Sequence, residues 1–283
     1  MRLRPSTTDQ PAKLKAFQHK KSLGQNFLTS QIVPSWMCDA ADIQKADTVI
    51  EIGPGTGALT SELLHRSAQV IAVEADVRAI EALRERFSDQ LATGQLCIIH
   101  QDARTLDLQT INAVGANYKV VANIPYYLTG LLLRQFLQTT TQPTTLVFLL
   151  QKEVVTRIAR DSKESILSIA IKAFGTPKYV KTVRRGHFHP APRVDSAILQ
   201  ITDISLNAFV DMSAVEFFFT IVHLGFGQKR KQLLGNLSQK YQRAVLIKMF
   251  AQLSIPVTAR AEDVGISDWL QLTRQLQTLT SET

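Results

Sequence analysis

The sequence has no apolar run near the roughly 18 residues that a membrane helix requires. Its longest candidates, around Leu131 to Leu137 and Phe217 to Phe226, are too short or too interrupted. The first thirty residues carry no apolar leader core. Cysteine is scarce: Cys38 and Cys97 stand alone in 283 residues, with no metal spacing and no disulfide framework. Both read as ordinary buried thiols in a reducing cytoplasm. His187 and His189 have no further ligand cluster beside them, so no metal site is expected. No internal repeat or low-complexity tract appears, which leaves one large domain or two smaller ones.

Acid is in deficit. The chain carries 32 Lys and Arg against 24 Asp and Glu, net +8, which points toward a polyanionic partner. Residues 1–21 hold Arg2, Arg4, Lys13, Lys15, Lys20 and Lys21 against Asp9 alone. That segment reads either as a solvated tail or as one that also touches phosphates. Its few arginines and its acid argue against an organellar transit peptide.

From about residue 48 to 151, short apolar runs alternate with longer amphipathic stretches, the pattern of a parallel sheet with crossover helices. The runs are Thr48–Gly53, Val70–Glu74, Cys97–Asp102, Lys119–Ile124 and Thr145–Leu150; helices are expected over Leu59–His65, Val77–Phe87 and Leu131–Gln138. Such units stack as a doubly wound α/β sheet of Rossmann-like type. Helices over Lys152–Arg160 and Ile166–Phe174 follow, then strands Tyr179–Arg185 and Ser196–Thr202. Between those strands lies His189–Pro192, whose two prolines cannot continue a ladder. Beyond 205 the pattern is helical: Ser213–Leu224, Lys229–Leu237, Arg243–Leu253 and Asp268–Leu279. The expected division is a basic tail over 1–20, the sheet domain over 21–204 and a small all-helical domain over 205–283.

Thr48–Gly57 runs a strand into a glycine-rich turn, with Gly53, Gly55 and Gly57 letting backbone approach a ligand at the strand's carboxyl end. Dinucleotide sites space their third glycine one place later. The G-x-G-x-G spacing here, preceded by Glu51, fits a cofactor without phosphates. Glu74 ends the second run, 21 residues after Gly53, where a carboxylate can accept both ribose hydroxyls. Asp102 ends the third, where it can accept from an adenine amine. The competing reading is three solvated strand-end residues around a structural turn.

Asn123-Ile124-Pro125-Tyr126 closes the fourth run. An exocyclic adenine amine is a poor nucleophile because its lone pair is delocalised into the ring. Two acceptors aimed at its protons, the Asn123 side-chain oxygen and the Ile124 carbonyl, pull the nitrogen toward tetrahedral geometry. Pro125 stiffens that turn, and Tyr126 offers a ring face to an extruded base. The plainer alternative is an asparagine that caps a turn.

Six segments in order carry a family resemblance: Lys21–Leu28, Glu51–Gly57, Asn123–Tyr126, Gln151–Glu153, Phe188–Ser196 and Phe226–Lys231. From about residue 20 onward the chain resembles the KsgA (RsmA) family of small-subunit ribosomal RNA adenine dimethyltransferases. The resemblance implies S-adenosyl-L-methionine as cofactor and two adjacent adenosines in a hairpin loop near the RNA's 3′ end as substrate. It also implies a monomer that checks assembly of a pre-ribosomal particle, with no membrane and no metal. By similarity Asn26, Leu28, Gly53, Gly55, Glu74, Asp102 and Asn123 contact the cofactor, and Gly24–Leu28 forms a lid over it. Phe188 is the second stacking partner of the target base, opposite Tyr126, and is expected to be exposed beside its prolines and histidines. Two departures stand out. Lys229 replaces an arginine, which loses the guanidinium fork, and Glu164-Ser165 replaces Tyr-Gly.

Lys229, Arg230 and Lys231 are expected in the first turn of a helix, where cations oppose the dipole and so suggest a phosphate ligand. Arg184 and Arg185, flanking the Phe188 loop, are further phosphate candidates. Three rival readings remain: a large-subunit enzyme of the erythromycin-resistance type, a non-catalytic RNA-binding assembly factor, and a DNA adenine methyltransferase. The intact Glu74, Asp102, Asn123 and Tyr126 weigh against the factor.

Overall fold

The computed structural model describes residues 26–67, 69–106 and 117–281, without the side chains of Tyr126, Thr280 and Ser281. The basic tail over 1–20 and Gly24 of the expected lid lie outside these residues.

Alternation with period two builds the sheet. In β2 (Thr48–Ile52), Ile50 and Ile52 point into one core while Val49 points into the other. Four more strands run parallel with it: β3 (Gln69–Glu74), β4 (Leu96–His100), β5 (Tyr118–Asn123) and β6 (Thr145–Gln151). Then β9 (Ser196–Thr202) pairs antiparallel with β6, and β7 (Thr176–Val183) antiparallel with β9, giving the order β4-β3-β2-β5-β6-β9-β7. The chain moves outward from β2 to β4 and then returns to β5 on β2's other side. That reversal opens a crevice at the carboxyl ends of β2 and β5, where doubly wound sheets place their ligands.

Helices cover both faces. Leu63 of α2 (Ala58–Arg66) and Leu83 of α3 (Val77–Arg86) join Met37 of α1 (Ile32–Ala40) in one core. The short α4 (Ser88–Ala92) follows α3. On the other face, α5 (Thr129–Leu137), α6 (Lys152–Ala159) and α7 (Ile166–Lys172) bury Phe136, Ile158 and Ile169. The C-terminal helices α8 (Met212–Gly225), α9 (Leu233–Leu237), α10 (Arg243–Gln252) and α11 (Ile266–Ser281) contribute Phe218, Leu237, Phe250 and Trp269 to this same core. Trp269 stacks on Phe226 with ring centroids 5.8 Å apart. It also lies against Gly225, where any side chain would collide with the indole.

The Glu164-Ser165 departure has a local explanation. The Ser165 hydroxyl accepts from the Ser168 amide at 3.1 Å and the Ser168 hydroxyl accepts from the Ser165 amide at 2.7 Å, a reciprocal cap that starts α7. Glu164 accepts from the Ser168 hydroxyl at 2.7 Å and from Lys172 at 2.6 Å, bracing the same turn.

Four expectations need correction. Cys97 is exposed, because β4 is an edge strand with one flank open, whereas Cys38 is buried with its thiol pushed up to about 12 by desolvation. Asp102 does not end a strand; β4 stops at His100 and Asp102 caps the 3-10 turn Ala103–Thr105. Arg184 and Arg185 fall outside β7, which stops at Val183. The helix expected over Lys229–Leu237 is confined to α9. Residues Gln228–Lys231 instead form a turn, with the Lys231 amide donating to the Gln228 carbonyl at 3.0 Å. The buried Asn236 side chain holds this turn by donating to the Gly225 and Gln228 carbonyls, the latter at 3.3 Å. The three cations therefore follow the C-terminal end of α8, where a helix dipole favours positive charge, and the dipole gives no argument for a phosphate there.

Two short strands went unforeseen. β1 (Phe27–Leu28) pairs antiparallel with β8 (Phe188–His189), placing Leu28 opposite Phe188. The Thr29 amide extends the ladder by donating to the His187 carbonyl at 3.0 Å, and Pro190 ends it after a cis peptide bond.

Candidate active site

A cavity of about 540 Å³ opens at the carboxyl ends of β2 to β5. The structure brings to its wall every residue expected to hold a cofactor: Asn26, Leu28, Gly53, Gly55, Glu74, Asp102 and Asn123. Ile124 and Pro125 line it as well. Of the two aromatic residues expected to stack on the base, only Phe188 has a described side chain. The Tyr126 side chain lies outside what the structure describes, and Phe188 is absent from the cavity wall.

Gly53, Gly55 and Gly57 have φ of 68°, 56° and 80°, a region that residues with a Cβ rarely enter. Gly55 has a steric reason too, since an added Cβ would come within 2.8 Å of the Phe27 ring. The bared backbone takes part directly. The Gly55 amide donates to Glu74 Oε2 at 3.2 Å, while the Ala75 and Asp76 amides donate to Oε1 at 2.8 and 2.9 Å. Three amides thus orient one buried carboxylate at the cavity wall.

Asp102 is held differently. It accepts from the Arg104 amide at 2.8 Å and forms an ion pair with that guanidinium at 2.6 Å, which keeps its pKa below the usual carboxylate range. Asn123, the last residue of β5, donates from Nδ2 to the Asn26 carbonyl at 3.2 Å. That bond fixes the amide's rotation, and no hydrogen bond to Oδ1 is found among the described residues. The Leu128 amide donates to the Pro125 carbonyl at 3.0 Å and closes the turn behind it.

Glu51, noted in the sequence only as the residue before the glycine turn, is a site residue in its own right. It lines the cavity, is 1 % exposed, and its Oε2 makes no hydrogen bond among the described residues. Burial pushes its pKa up to about 8, opposed by Thr60 and reinforced by the Glu74 charge. A buried carboxyl oxygen without a partner is a place where a bound ligand can supply one. The available signal was a glutamate inside an otherwise apolar strand.

Phe188 is 5 % exposed and packs with Leu28, Val183 and Ile198, contrary to the expected exposure. Its pairing with β1 turns the ring into the core while His189 points outward. Lys229, Arg230 and Lys231 are exposed on their turn, and so are Arg184 and Arg185. The Arg185 amide is tied to Asp195 Oδ1 at 3.0 Å. None of these five lines the cavity. Among the described residues no group of three or more His, Cys, Asp or Glu could hold a metal ion. No helix there is long and apolar enough to cross a membrane.

The model of the family described as ribosomal RNA adenine dimethylase matches residues 16–278. The chain belongs to that family. Among its relatives is ribosomal RNA small subunit methyltransferase A of Dehalococcoides mccartyi, strain CBDB1, 40 % identical over 256 residues, covering 89 % of this chain and 87 % of that one. The Bacillus pumilus protein of the same name is 35 % identical over 285 residues, covering 96 % of each chain. Solved structures share the fold. The 23S rRNA methyltransferase ErmE superposes with TM-score 0.71 at 26 % identity, over 89 % of this chain and all of that one. A dimethyladenosine transferase from Plasmodium falciparum gives 0.73 at 24 %, over 89 % and 97 %. The family membership bears out the expected α/β methyltransferase fold and an enzyme that dimethylates adenine in ribosomal RNA.

Members of the family are methyltransferases of the S-adenosylmethionine-dependent kind, and the cavity suits that cofactor. Glu51 Oε2 offers a buried acceptor for an ammonium group, Glu74 a fixed carboxylate for a diol, and Asp102 an acceptor for an amine.

Proposed function

We propose that this protein transfers methyl groups from S-adenosyl-L-methionine to the N6 amines of two adjacent adenosines in a hairpin loop near the 3′ end of small-subunit ribosomal RNA. It acts in the cytoplasm as a monomer on a pre-ribosomal particle. One observation carries the reading: Asn123, oriented by the Asn26 carbonyl, shares a single cavity wall with Glu74 and Asp102. The names and identities of the curated relatives favour the small subunit over the large.

The cofactor, when bound, supplies a methyl group activated by its sulfonium. The chain's residues do the rest. Asn26, Leu28, Gly53, Gly55, Glu74, Asp102 and Asn123 hold the cofactor, joined by Glu51. Asn123 Oδ1 and the Ile124 carbonyl accept the two amine protons of the target base and localise its lone pair. Pro125 and the turn behind it keep those acceptors in place, so most of the rate arises from positioning and preorganised dipoles. A strong base is unnecessary because the nitrogen becomes acidic once methylated. Tyr126 and Phe188 sandwich the base, which requires the Phe188 ring to leave the packed position it holds here. Lys229, Arg230, Lys231, Arg184 and Arg185 meet phosphates.

Incubation with labelled cofactor and purified ribosomal subunits lacking the modification tests this. Dimethyladenosine should form in small-subunit RNA. Label confined to large subunits would instead make this a resistance-type enzyme, and absence of label in both would favour a non-catalytic factor.

A further inference from the structure

The Asp102 carboxylate is held by a fork. Arg104 Nε lies 3.1 Å from Oδ1 and 3.0 Å from Oδ2, Nη2 lies 2.6 Å from Oδ2, and the Arg104 amide lies 2.8 Å from Oδ1. The same Asp-x-Arg device occurs one strand away, where Asp76 accepts from the Arg78 amide at 3.1 Å and from its guanidinium Nε at 3.0 Å. Both pairs line the cavity, but they differ in what holds the aspartate. Asp76 caps α3 and is 12 % exposed, whereas Asp102 caps only a three-residue turn and is 35 % exposed at the cavity wall. A carboxylate so placed has freedom to rotate, and it can take up a proton and become a donor. The bidentate guanidinium removes both freedoms: together with the Arg104 amide it fixes the plane of the group and fills most of the directions from which a proton could be taken up.

We infer that Arg104 is a specificity-determining positioning residue for the cofactor's purine: by holding Asp102 as a fixed, acceptor-only group, it admits a 6-amino purine and turns away a 6-oxo purine. This rests on the reading of Asp102 as the partner of the adenine amine. An exocyclic amine donates to the carboxylate, where the Nε contact is shared between the two oxygens at 3.0 and 3.1 Å and leaves acceptor capacity open. A 6-oxo group sets lone pair against lone pair and leaves both desolvated and unpaired, the situation in which polar sites discriminate most strongly. An unclamped aspartate could turn or protonate to suit either ligand. Arg104 itself stays at the rim, 63 % exposed and within electrostatic reach of Tyr127, so its removal spares the core.

The test is calorimetric titration of the full chain with S-adenosylhomocysteine and with S-inosylhomocysteine, its 6-oxo counterpart, which separates recognition from turnover. The wild type should prefer the amino ligand by roughly 100-fold. Arg104→Ala should cut that ratio by roughly 10-fold with an unchanged melting temperature, and Arg104→Lys should restore part of it, keeping charge without the fork. Asp102→Asn, which can present an N–H to the oxo group, should flatten or reverse the preference. If Arg104→Ala keeps the wild-type ratio while Asp102→Asn loses it, Arg104 has no such role. If Asp102→Asn also keeps the ratio, or the wild type has no preference, the assignment of Asp102 to the purine fails with it.

Discussion

The Asn123 side chain donates to the Asn26 carbonyl across 3.2 Å, joining the end of β5 to the residue that leads into β1. This bond fixes the rotation of the Asn123 amide and with it the position of Oδ1, its acceptor atom. It also links two parts of the site, since β1 pairs with β8 and β8 opens the proline loop beside Phe188. The catalytic turn and the aromatic loop therefore share one small scaffold, and displacing either strand should disturb both.

On the proposed reading Phe188 has two separable roles. Its buried ring makes Phe188→Ala a cavity-forming substitution, expected to cost about 3 kcal/mol or more in a denaturant melt. Phe188→Leu retains most of the packing and should fold. Loss of base stacking should nonetheless reduce RNA affinity in the leucine variant by roughly 10-fold, a change corresponding to about 1.4 kcal/mol. A leucine variant with wild-type RNA affinity and turnover would leave Phe188 as a core residue only.

Glu51 gives a pH signature. Its folded pKa of about 8 stands above the ordinary 4.5, so the folded chain keeps a proton that the unfolded chain releases. The associated stability is fully present below about 4.5 and is lost as pH rises through about 8. Glu51→Gln lacks this dependence. Its melting temperature relative to wild type should therefore rise between those limits, by on the order of 5 °C, in ligand-free protein. A difference that stays flat across the range would show that Glu51 is not a desolvated acid.

The exposed basic turn is tested through salt. Replacing Lys229, Arg230 and Lys231 together by alanine should weaken RNA binding and lower the slope of log affinity against log salt by roughly 2, at about 0.7–0.9 for each phosphate no longer neutralised. Cofactor affinity should not change, because none of the three lines the cavity. An unaltered slope would take this turn out of the interface.

Most of the cofactor wall was legible because it depends on local rules. A glycine turn after an apolar strand, and carboxylates at or just past the ends of the next two strands, locate a crevice from topology alone. What escaped depends on pairings distant in sequence. β1 and β8 are two residues each and exist through pairing across 160 positions, a separation that no window of periodicity spans. Phe188 was misjudged for the same reason, its neighbours suggesting solvent while its strand partner turned it inward. The helix expected from Lys229 was shortened by Asn236, whose side chain captures the carbonyls of Gly225 and Gln228. The role of Glu51 itself was not legible because strand periodicity alone does not reveal that a carboxylate lacks a donor.

The most direct measurement is methyl transfer by Asn123→Ala on small subunits, made alongside cofactor and RNA affinities for the same protein. Loss of the oriented acceptor should lower turnover by roughly 100-fold or more while RNA affinity stays near wild type. Turnover comparable to wild type would contradict the assignment of amine activation to the Asn123-Ile124-Pro125-Tyr126 turn.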